Sequence, residues 1–323
     1  MKFICRLPFA EDYILANHEN IGKNRVEFSS FTGNKKLELK NNSLTYLKEE
    51  NLENLFFNEV NLPEIDASEN FPTHEIYIEE VKKAIEIIRE NNLPKLVISR
   101  PIKKEISNLN LLDSFKNICS NYKNTLCYLL ISDDEIWMGA TPEILGKFNK
   151  KTQEFFTMSL AGTLPINEEW SDKEIEEQKP VSQYIFEKLK DFSDDVKVSE
   201  TYTHNSGNIK HLRNDFSAKI NSEKLEELIT KLHPTPAVCG IPKDFCKEKI
   251  LEIENYNREF YAGYIKIETE EEIYYFVNLR CAKIFKNNII AFAGGGITIM
   301  SNPEKEWQET ELKSQAILNH LKF

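Results

Sequence analysis

The feature that most constrains the fold of this chain is a series of apolar, strand-like runs joined by short polar turns. The runs span residues 125–131, 135–140, 146–150 and 155–160 and, in an expected meander near the C-terminus, residues 262–268, 273–280 and 289–293. Neighbouring runs joined by a few residues are typical of antiparallel hairpins, whereas parallel strands need a long crossover, usually a helix, between them. The sequence therefore predicts an α+β fold with largely antiparallel sheets and helices packed outside them.

Helical periodicity and helix caps predict where those helices lie. The predicted helices span residues 76–91, 111–121, 171–192, 222–232 and 243–253, and further strands are expected at residues 26–32, 96–98 and 196–203. The first residues predict a strand rather than a signal peptide, because charged Glu11 and Asp12 soon interrupt the apolar run. No linker rich in proline, glycine or serine divides the 323 residues, so we expect one large domain.

Composition excludes several classes of function. The net charge of −11 argues against a general affinity for nucleic acid or anionic membranes, which bind basic surfaces. No apolar run approaches the ~18 residues of a membrane-spanning helix. The 6 cysteines form no CxxC pair and show no metal spacing with histidine. We therefore expect free or buried thiols in a reducing cytoplasm.

The segment AFAGGGITIMSNPEKEWQETELK, residues 291–313, carries the clearest functional pattern. An apolar run enters three glycines, and a helix with Ser301 or Asn302 as a possible N-cap and Pro303 at its start then follows. Glu306, Glu309 and Lys313 share one face of that helix. Glycines allow a ligand to approach the backbone closely, with carboxylates and an ammonium beside it. The alternative is a hairpin loop followed by a solvated helix.

Eight short motifs extend this pattern in a fixed order along the chain. They are KLVISR (95–100), GATPEIL (139–145), LAGT (160–163), DKEIEEQKPV (172–181), LHPTPAVCGIP (232–242), REFYAGY (258–264), LRCAKI (279–284) and AGGGI with EWQETELK (293–313). In this combination the chain resembles the chorismate-utilising enzymes, which include isochorismate synthases, salicylate synthases and the synthase components of anthranilate and aminodeoxychorismate formation. The resemblance implies a single chorismate-binding domain over residues 1–323, with a divergent part at 1–90 and the core motifs at 91–323.

The resemblance also implies a large α+β domain that binds Mg²⁺ and chorismate, a dianion. An acidic protein needs a cation to hold such an anion, and Mg²⁺ commonly takes one or two carboxylates plus water and substrate oxygens. Glu177 and Glu309 match the metal carboxylates of the family, with Glu306 and Glu174 nearby as indirect ligands. Without the resemblance, Glu177 would be read as part of a charged helix face.

Two further residues match the catalytic positions of the family. Lys95 stands where members that use water carry a lysine base, a role that requires its pKa to fall by roughly two to three units from about 10.4. Glu143 matches the general acid, which requires a raised pKa. The alternatives are a surface lysine at a strand start and an ordinary glutamate at the end of a strand.

Other matching positions imply contacts with the substrate. Arg280 is expected to grip a carboxylate, His211 to lie near the ring and Tyr261 to line the wall. Ala237 resembles the isochorismate synthases, since salicylate-forming relatives tend to place a threonine there. The remaining carboxylate contacts are expected from Lys313 and from the backbone N–H groups of Gly162, Thr163, Gly295 and Gly296. Gln178 departs from the family, many members of which have a histidine at this position.

Taken together, the resemblance implies isochorismate synthase activity: Mg²⁺-dependent addition of water at C2 of chorismate with loss of the C4 hydroxyl. The alternatives are a salicylate synthase, an amine-inserting synthase component that works with a glutaminase, and a protein that binds chorismate without turnover. Lys95 argues against the amine-inserting class, and Ala237 argues against salicylate formation. A cytoplasmic monomer that serves menaquinone synthesis is expected.

Overall fold

The computed structural model describes residues 1–23, 25–39, 42–55, 60–65, 71–206 and 209–323. Within these ranges the chain forms two nine-stranded sheets, and the strand pairs are antiparallel. Helices pack on their outer sides, so the predicted α+β fold is confirmed.

The first sheet has the strand order β14-β6-β18-β17-β8-β7-β1-β2-β5. Its strands are β1 (Lys2–Arg6), β2 (Tyr13–Lys23), β5 (Asn42–Leu47), β6 (Lys95–Glu105), β7 (Leu126–Ile131), β8 (Ile136–Thr141), β14 (Gly240–Ile241), β17 (Cys281–Ile284) and β18 (Asn288–Ile297).

The second sheet has the order β11-β13-β10-β9-β16-β15-β3-β4, with β12 also paired to β13. Its strands are β3 (Val26–Ser29), β4 (Lys36–Leu39), β9 (Ile144–Asn149), β10 (Glu154–Pro165), β11 (Lys197–Val198), β12 (Tyr202–Ser206), β13 (Ile209–Lys219), β15 (Tyr264–Glu268) and β16 (Glu272–Val277).

The helices at 111–121 and 243–253 have the predicted limits, the first helix begins at His74 rather than at residue 76, and residues 222–232 form a 3₁₀ turn followed by a helix from Leu225. The helices are α1 (His74–Asn91), α2 (Leu111–Asn121), α3 (Asp172–Lys190), α4 (Leu225–Leu232), α5 (Lys243–Ile253) and α6 (Pro303–Leu318), with short 3₁₀ turns at Glu49–Asn54 and Ser222–Lys224. Asn302 caps α6 by accepting a hydrogen bond from the Lys305 N–H. In the described part of the chain, none of the helices is both long and apolar enough to cross a membrane.

The central strands of the first sheet are buried on both faces. In β1, Phe3 and Cys5 belong to the core that includes residues of both sheets, while Ile4 between them belongs to a second core. This second core also contains Phe115 of α2 and Ile317 of α6. Because successive side chains of a strand point to opposite faces, a continuous apolar run indicates burial on both sides. The 6 cysteines are buried and unbridged.

The expectation of a single meander near the C-terminus is wrong. β15 and β16 pair in the second sheet, but β17 and β18 pair in the first, so the chain crosses between the sheets after Val277. At the crossing Arg280 has a φ of 45°, a left-handed conformation that breaks a regular strand. The predicted strand at 196–203 is likewise two strands, β11 and β12, and the predicted strand at 96–98 extends from Lys95 to Glu105.

Candidate active site

A cavity lies where strands of both sheets meet helices α3 and α6. It brings together eleven of the residues predicted from the sequence: Lys95, Glu143, Gly162, Thr163, Glu177, His211, Ala237, Tyr261, Arg280, Gly296 and Lys313. The other four predicted residues, Glu174, Gly295, Glu306 and Glu309, do not line it.

The three glycines are part of a strand, so the alternative of a hairpin loop is wrong. β18 continues through Gly294, Gly295 and Gly296, which pair with Ser99, Ile98 and Val97 of β6. A Cβ on Gly296 would lie 2.3 Å from Glu177 Oε1, and a Cβ on Gly295 would lie 2.8 Å from Glu306 Oε2. Both distances are far below van der Waals contact, so carboxylates from α3 and α6 approach this strand only because it lacks side chains.

Lys95 and Glu177 form a buried ion pair at one wall of the cavity. Lys95 Nζ donates to Glu177 Oε1 at 2.9 Å, and the two side chains are 1% and 11% exposed. The pair joins the start of β6 to α3. The alternative of a surface lysine at position 95 is therefore wrong. Glu177 occupies Lys95 Nζ in this arrangement, so the pair must open before Lys95 Nζ can contact a water molecule or a substrate instead.

Glu143 is a buried carboxyl in the turn between β8 and β9. Burial raises its pKa from 4.5 to about 7, against the opposing effects of a hydrogen bond from Thr235 and the positive charge of Lys95. The Thr235 hydroxyl donates to Glu143 Oε1 at 3.1 Å. A glutamate with this pKa is partly protonated near neutral pH, as a general acid requires.

His211 and Arg280 form a cationic wall of the cavity. Arg280 Nη2 donates to His211 Nε2 at 3.0 Å, and His211 Nδ1 lies 3.0 Å from the Gly162 carbonyl oxygen. Burial, followed by the charges of Arg280 and Lys313, lowers the pKa of His211 well below 6.5. Neutral His211 therefore carries its proton on Nδ1, donates it to Gly162 and accepts from Arg280 at Nε2. Burial lowers the pKa of Arg280 to about 10, so Arg280 remains a cation at neutral pH.

Lys313 lines the cavity from α6 as a second cation. Its Nζ donates to the Gly294 carbonyl oxygen at 2.9 Å and pairs with Glu309 Oε1 at 2.7 Å. A dianionic ligand in this cavity would meet Arg280 and Lys313 together, an arrangement suited to carboxylate binding.

The predicted metal residues divide into two groups. Glu177, Glu306 and Glu309 lie against the Gly295–Gly296 backbone, as the two missing side chains allow. Glu174 instead accepts a hydrogen bond from the Ser171 N–H at 3.1 Å and so forms part of the capping box at the N-terminus of α3. Among the described residues no cluster of three or more His, Cys, Asp or Glu is ready to hold a metal ion. The carboxylates against the glycines are nevertheless the oxygen ligands that Mg²⁺ prefers.

Sequence reasoning missed several residues at the site. Thr235 contacts Glu143, and Phe292 of β18 stacks on Tyr261 with ring centroids 5.6 Å apart. Gln178, already noted from the sequence as a departure from the family, is not among the residues that line the cavity and donates to Ser159 Oγ at 2.7 Å. The motif LHPTPAVCGIP contains Thr235 but gives no sign that its hydroxyl meets a residue 92 positions away.

Comparisons with known proteins identify the family. The model of a family described as "Chorismate binding enzyme" matches residues 29–322. Isochorismate synthase EntC of Escherichia coli is 29% identical over 267 residues, which cover 77% of this chain and 67% of EntC. Isochorismate synthase MenF of E. coli is 28% identical over 255 residues, which cover 73% of this chain and 58% of MenF.

Solved structures show the same fold. The menaquinone-specific isochorismate synthase MenF of E. coli matches with a TM-score of 0.80 at 19% identity, covering 99% of this chain and 88% of MenF. Anthranilate synthase component I of Streptococcus pneumoniae matches with a TM-score of 0.71 at 17% identity, covering 93% of this chain and 82% of that one. Since both activities occur on this architecture, the fold alone does not choose between them.

Proposed function

We propose that this chain, which belongs to the family of chorismate-binding enzymes, is an isochorismate synthase. The observation that carries the proposal is one cavity lined by a buried lysine, a carboxyl with a pKa of about 7 and an alanine at position 237. The names of the relatives EntC and MenF agree with it.

The proposed reaction uses Lys95 and Glu143 as base and acid. Lys95 Nζ takes a proton from a water molecule whose oxygen forms a bond to C2 of chorismate. Glu143 donates its proton to the C4 hydroxyl, which leaves as water while the ring double bonds shift. One water enters and one leaves, so the product is an isomer of the substrate and the enolpyruvyl group stays attached. This acid–base pair is worth typically 10²–10⁴-fold in rate.

Arg280 and Lys313 would hold the carboxylates of the substrate, with His211 fixing the Arg280 guanidinium. The backbone N–H groups of Gly162, Thr163, Gly295 and Gly296 stay predicted contacts.

Glu177 and Glu309 would hold Mg²⁺ directly, and Glu306 would hold it through water. Glu174 caps helix α3, so we assign it a structural role rather than a role as a metal ligand. Mg²⁺ supplies positive charge that offsets the repulsion between these carboxylates and those of the substrate.

Chromatography of the purified protein with chorismate, with and without Mg²⁺, tests the proposal together with an assay for released pyruvate. We expect a product of unchanged mass, without pyruvate, only when Mg²⁺ is present. Salicylate with stoichiometric pyruvate would assign the chain to the salicylate synthases, and an aminated product in the presence of ammonia would assign it to the amine-inserting class. Thermal stabilisation by chorismate without any product would indicate a binding protein.

The metal assignment has its own matched pair of variants on α6. Glu309→Gln removes a proposed ligand, whereas Glu304→Gln changes an exposed glutamate that pairs with His74. Calorimetric titration with Mg²⁺ in the presence of chorismate should show weaker Mg²⁺ binding than the wild type for Glu309→Gln, and unchanged binding for Glu304→Gln. Equal Mg²⁺ affinity in both variants would remove Glu309 from the metal site. Monomeric state, cytoplasmic location and the menaquinone pathway stay predictions from the sequence.

A further inference from the structure

Thr235 is held rigidly in the loop between α4 and β14. Its carbonyl oxygen accepts hydrogen bonds from the N–H groups of Val238 and Cys239, both at 3.0 Å. Pro234 and Pro236 flank it and restrict the backbone further. The residue is 3% exposed, so its hydroxyl has little access to water and needs a protein partner.

That partner is Glu143. Thr235 Oγ1 lies 3.1 Å from Glu143 Oε1, and both residues are 3% exposed. Glu143 lines the cavity whereas Thr235 is not among the lining residues, so the hydroxyl stands behind the carboxyl as seen from the ligand space. The contact therefore touches the proposed general acid without touching a substrate.

We propose that Thr235 is a positioning residue that reserves Glu143 Oε1 as a hydrogen-bond acceptor and so places the transferable proton on Oε2. This inference rests on the proposed function, in which Glu143 donates a proton to the leaving hydroxyl. When Oε2 gives up that proton, the Oε2–H bond breaks and a new O–H bond forms on the departing water. The negative charge left on the carboxylate is then stabilised by the Thr235 hydroxyl, which donates throughout.

The hydroxyl has few competitors for this role. The positive charge of Lys95 on β6 also favours the carboxylate, and Glu143 interacts electrostatically with Tyr261, in the loop before β15. The other charged or titratable groups of the cavity stand on different elements, namely Glu177 on α3, His211 on β13, Arg280 ahead of β17 and Lys313 on α6. The Thr235 hydroxyl donates a hydrogen bond to the Glu143 carboxyl. A conservative substitution of Thr235 can remove this bond and leave the charged groups in place.

Thr235→Val removes the donor at nearly constant shape, and Thr235→Ser keeps it. Thr269→Val is the matched control: Thr269 is also buried and its hydroxyl donates to the Glu272 carbonyl at 3.0 Å, but it lies at the far end of β16 from Glu143. The protonation of Glu143 is measured directly as an infrared carboxyl band that is present in each protein and absent after Glu143→Gln. Turnover of chorismate is measured on the same samples.

In Thr235→Val the infrared midpoint should move up by about one pH unit or more, because the carboxylate has lost a donor. Turnover should fall by about tenfold, since the carboxylate that forms on proton transfer has lost the hydrogen bond that stabilised it. Thr235→Ser should restore both quantities, and Thr269→Val should change neither. If Thr235→Val does not fold, Thr235→Ala is measured in the same way.

An unchanged infrared midpoint, or a shifted midpoint with full turnover, would overturn the positioning role. Turnover that stays low in Thr235→Ser despite a restored midpoint would overturn it as well. A wild-type protein that leaves chorismate unchanged would instead refute the proposed function, which the infrared result alone does not decide. The two failures are therefore distinguishable.

Discussion

Two buried ion pairs touch the first half of β6, and one of them lines the candidate cavity whereas the other does not. Arg258 donates to both carboxylate oxygens of Glu254, at 2.8 and 2.6 Å, and to the carbonyl oxygens of Val238 and Val97. The same carboxylate accepts from the backbone N–H and the hydroxyl of Ser99. Neither Arg258 nor Glu254 is among the residues that line the candidate cavity, and the network joins the loop after α5 to β6.

The pair of Lys95 and Glu177 meets through one 2.9 Å hydrogen bond, with the cavity beside it. An ammonium has three N–H donors and this contact uses one, so Lys95 can rearrange towards a ligand. A buried pair such as Arg258 and Glu254, with hydrogen bonds to several groups, mainly stabilises the fold, because removing one partner leaves the other as an unpaired buried charge. A buried pair that lines a ligand cavity can instead take part in chemistry. The following variants test whether that distinction holds.

Lys95→Ala should have the largest effect, a loss of turnover of about 10²–10⁴-fold with a nearly unchanged free energy of unfolding. The base is lost, while Glu177 can be hydrated from the cavity. Steady-state kinetics and urea denaturation measure the two quantities. Lys104→Ala, an exposed lysine on the same strand, is the control. Retained turnover in Lys95→Ala would exclude Lys95 as the base.

Arg258→Met should show the opposite pattern. We expect the free energy of unfolding to fall by about 3–5 kcal/mol, because Glu254 keeps a buried charge without its counter-ion. Turnover per folded molecule should stay close to that of the wild type. Adding Glu254→Gln removes the stranded charge and should recover much of the stability. If Arg258→Met were stable but inactive, the structural assignment of this pair would be wrong.

Burial of Glu143 should make the free energy of unfolding depend on pH. Its pKa is about 7 in the folded protein and 4.5 as the reference, so the folded state binds the proton more tightly. The resulting stabilisation, about 3 kcal/mol, is present below pH ~4.5 and is lost as the pH rises through ~7. Urea denaturation between these limits should therefore show a steeper loss for the wild type than for Glu143→Gln. Equal slopes would mean that Glu143 is not buried as a neutral acid.

Gly296→Ala should have the smallest effect of the four, about 10–100-fold on turnover. The new methyl group would lie 2.3 Å from Glu177 Oε1 and 2.9 Å from Lys95 Nζ, so it displaces the pair without removing it. Gly146→Ala is the matched comparison, since its Cβ would lie 2.6 Å from a ring carbon of Phe155 in the core. We expect Gly146→Ala to lower stability and to spare turnover of the folded fraction. The reverse result would contradict the division between the two regions.

The sequence predicted those elements of the fold that depend on residues close together in the chain, namely helices and hairpins. The limits of α2 and α5 match the prediction, because the apolar periodicity of a helix is contained within a few turns of chain. The hairpins of β7 with β8 and of β9 with β10 were predicted for the same reason. The crossing of the chain into the first sheet at β17 was not predicted. It depends on the left-handed backbone conformation of Arg280, which the local sequence does not indicate.

The candidate site was predicted through the resemblance rather than through spacing. Composition and periodicity could not place Lys95 beside Glu177, since these residues are 82 positions apart and only the packing of α3 against the second sheet joins them. Likewise, the 4-residue spacing of Glu254 and Arg258 suggests an ion pair, but the Ser99 and Val97 atoms that complete it belong to another strand. Long-range pairings of this kind are properties of the fold.

The packing of α6 on β18 and β6 has a consequence for how the protein is made. Helix α6 brings Lys313 to the cavity, and its Trp307 lies over the buried Arg100 guanidinium of β6 at 3.5 Å. A ribosome synthesises the chain from its N-terminus, so β6 leaves the ribosome roughly two hundred residues before the helix that covers it. Until then Arg100 and the glycine strand lack their cover, and the nascent chain has no complete site for an anion. Binding competence therefore arises in one late step, when α6 docks.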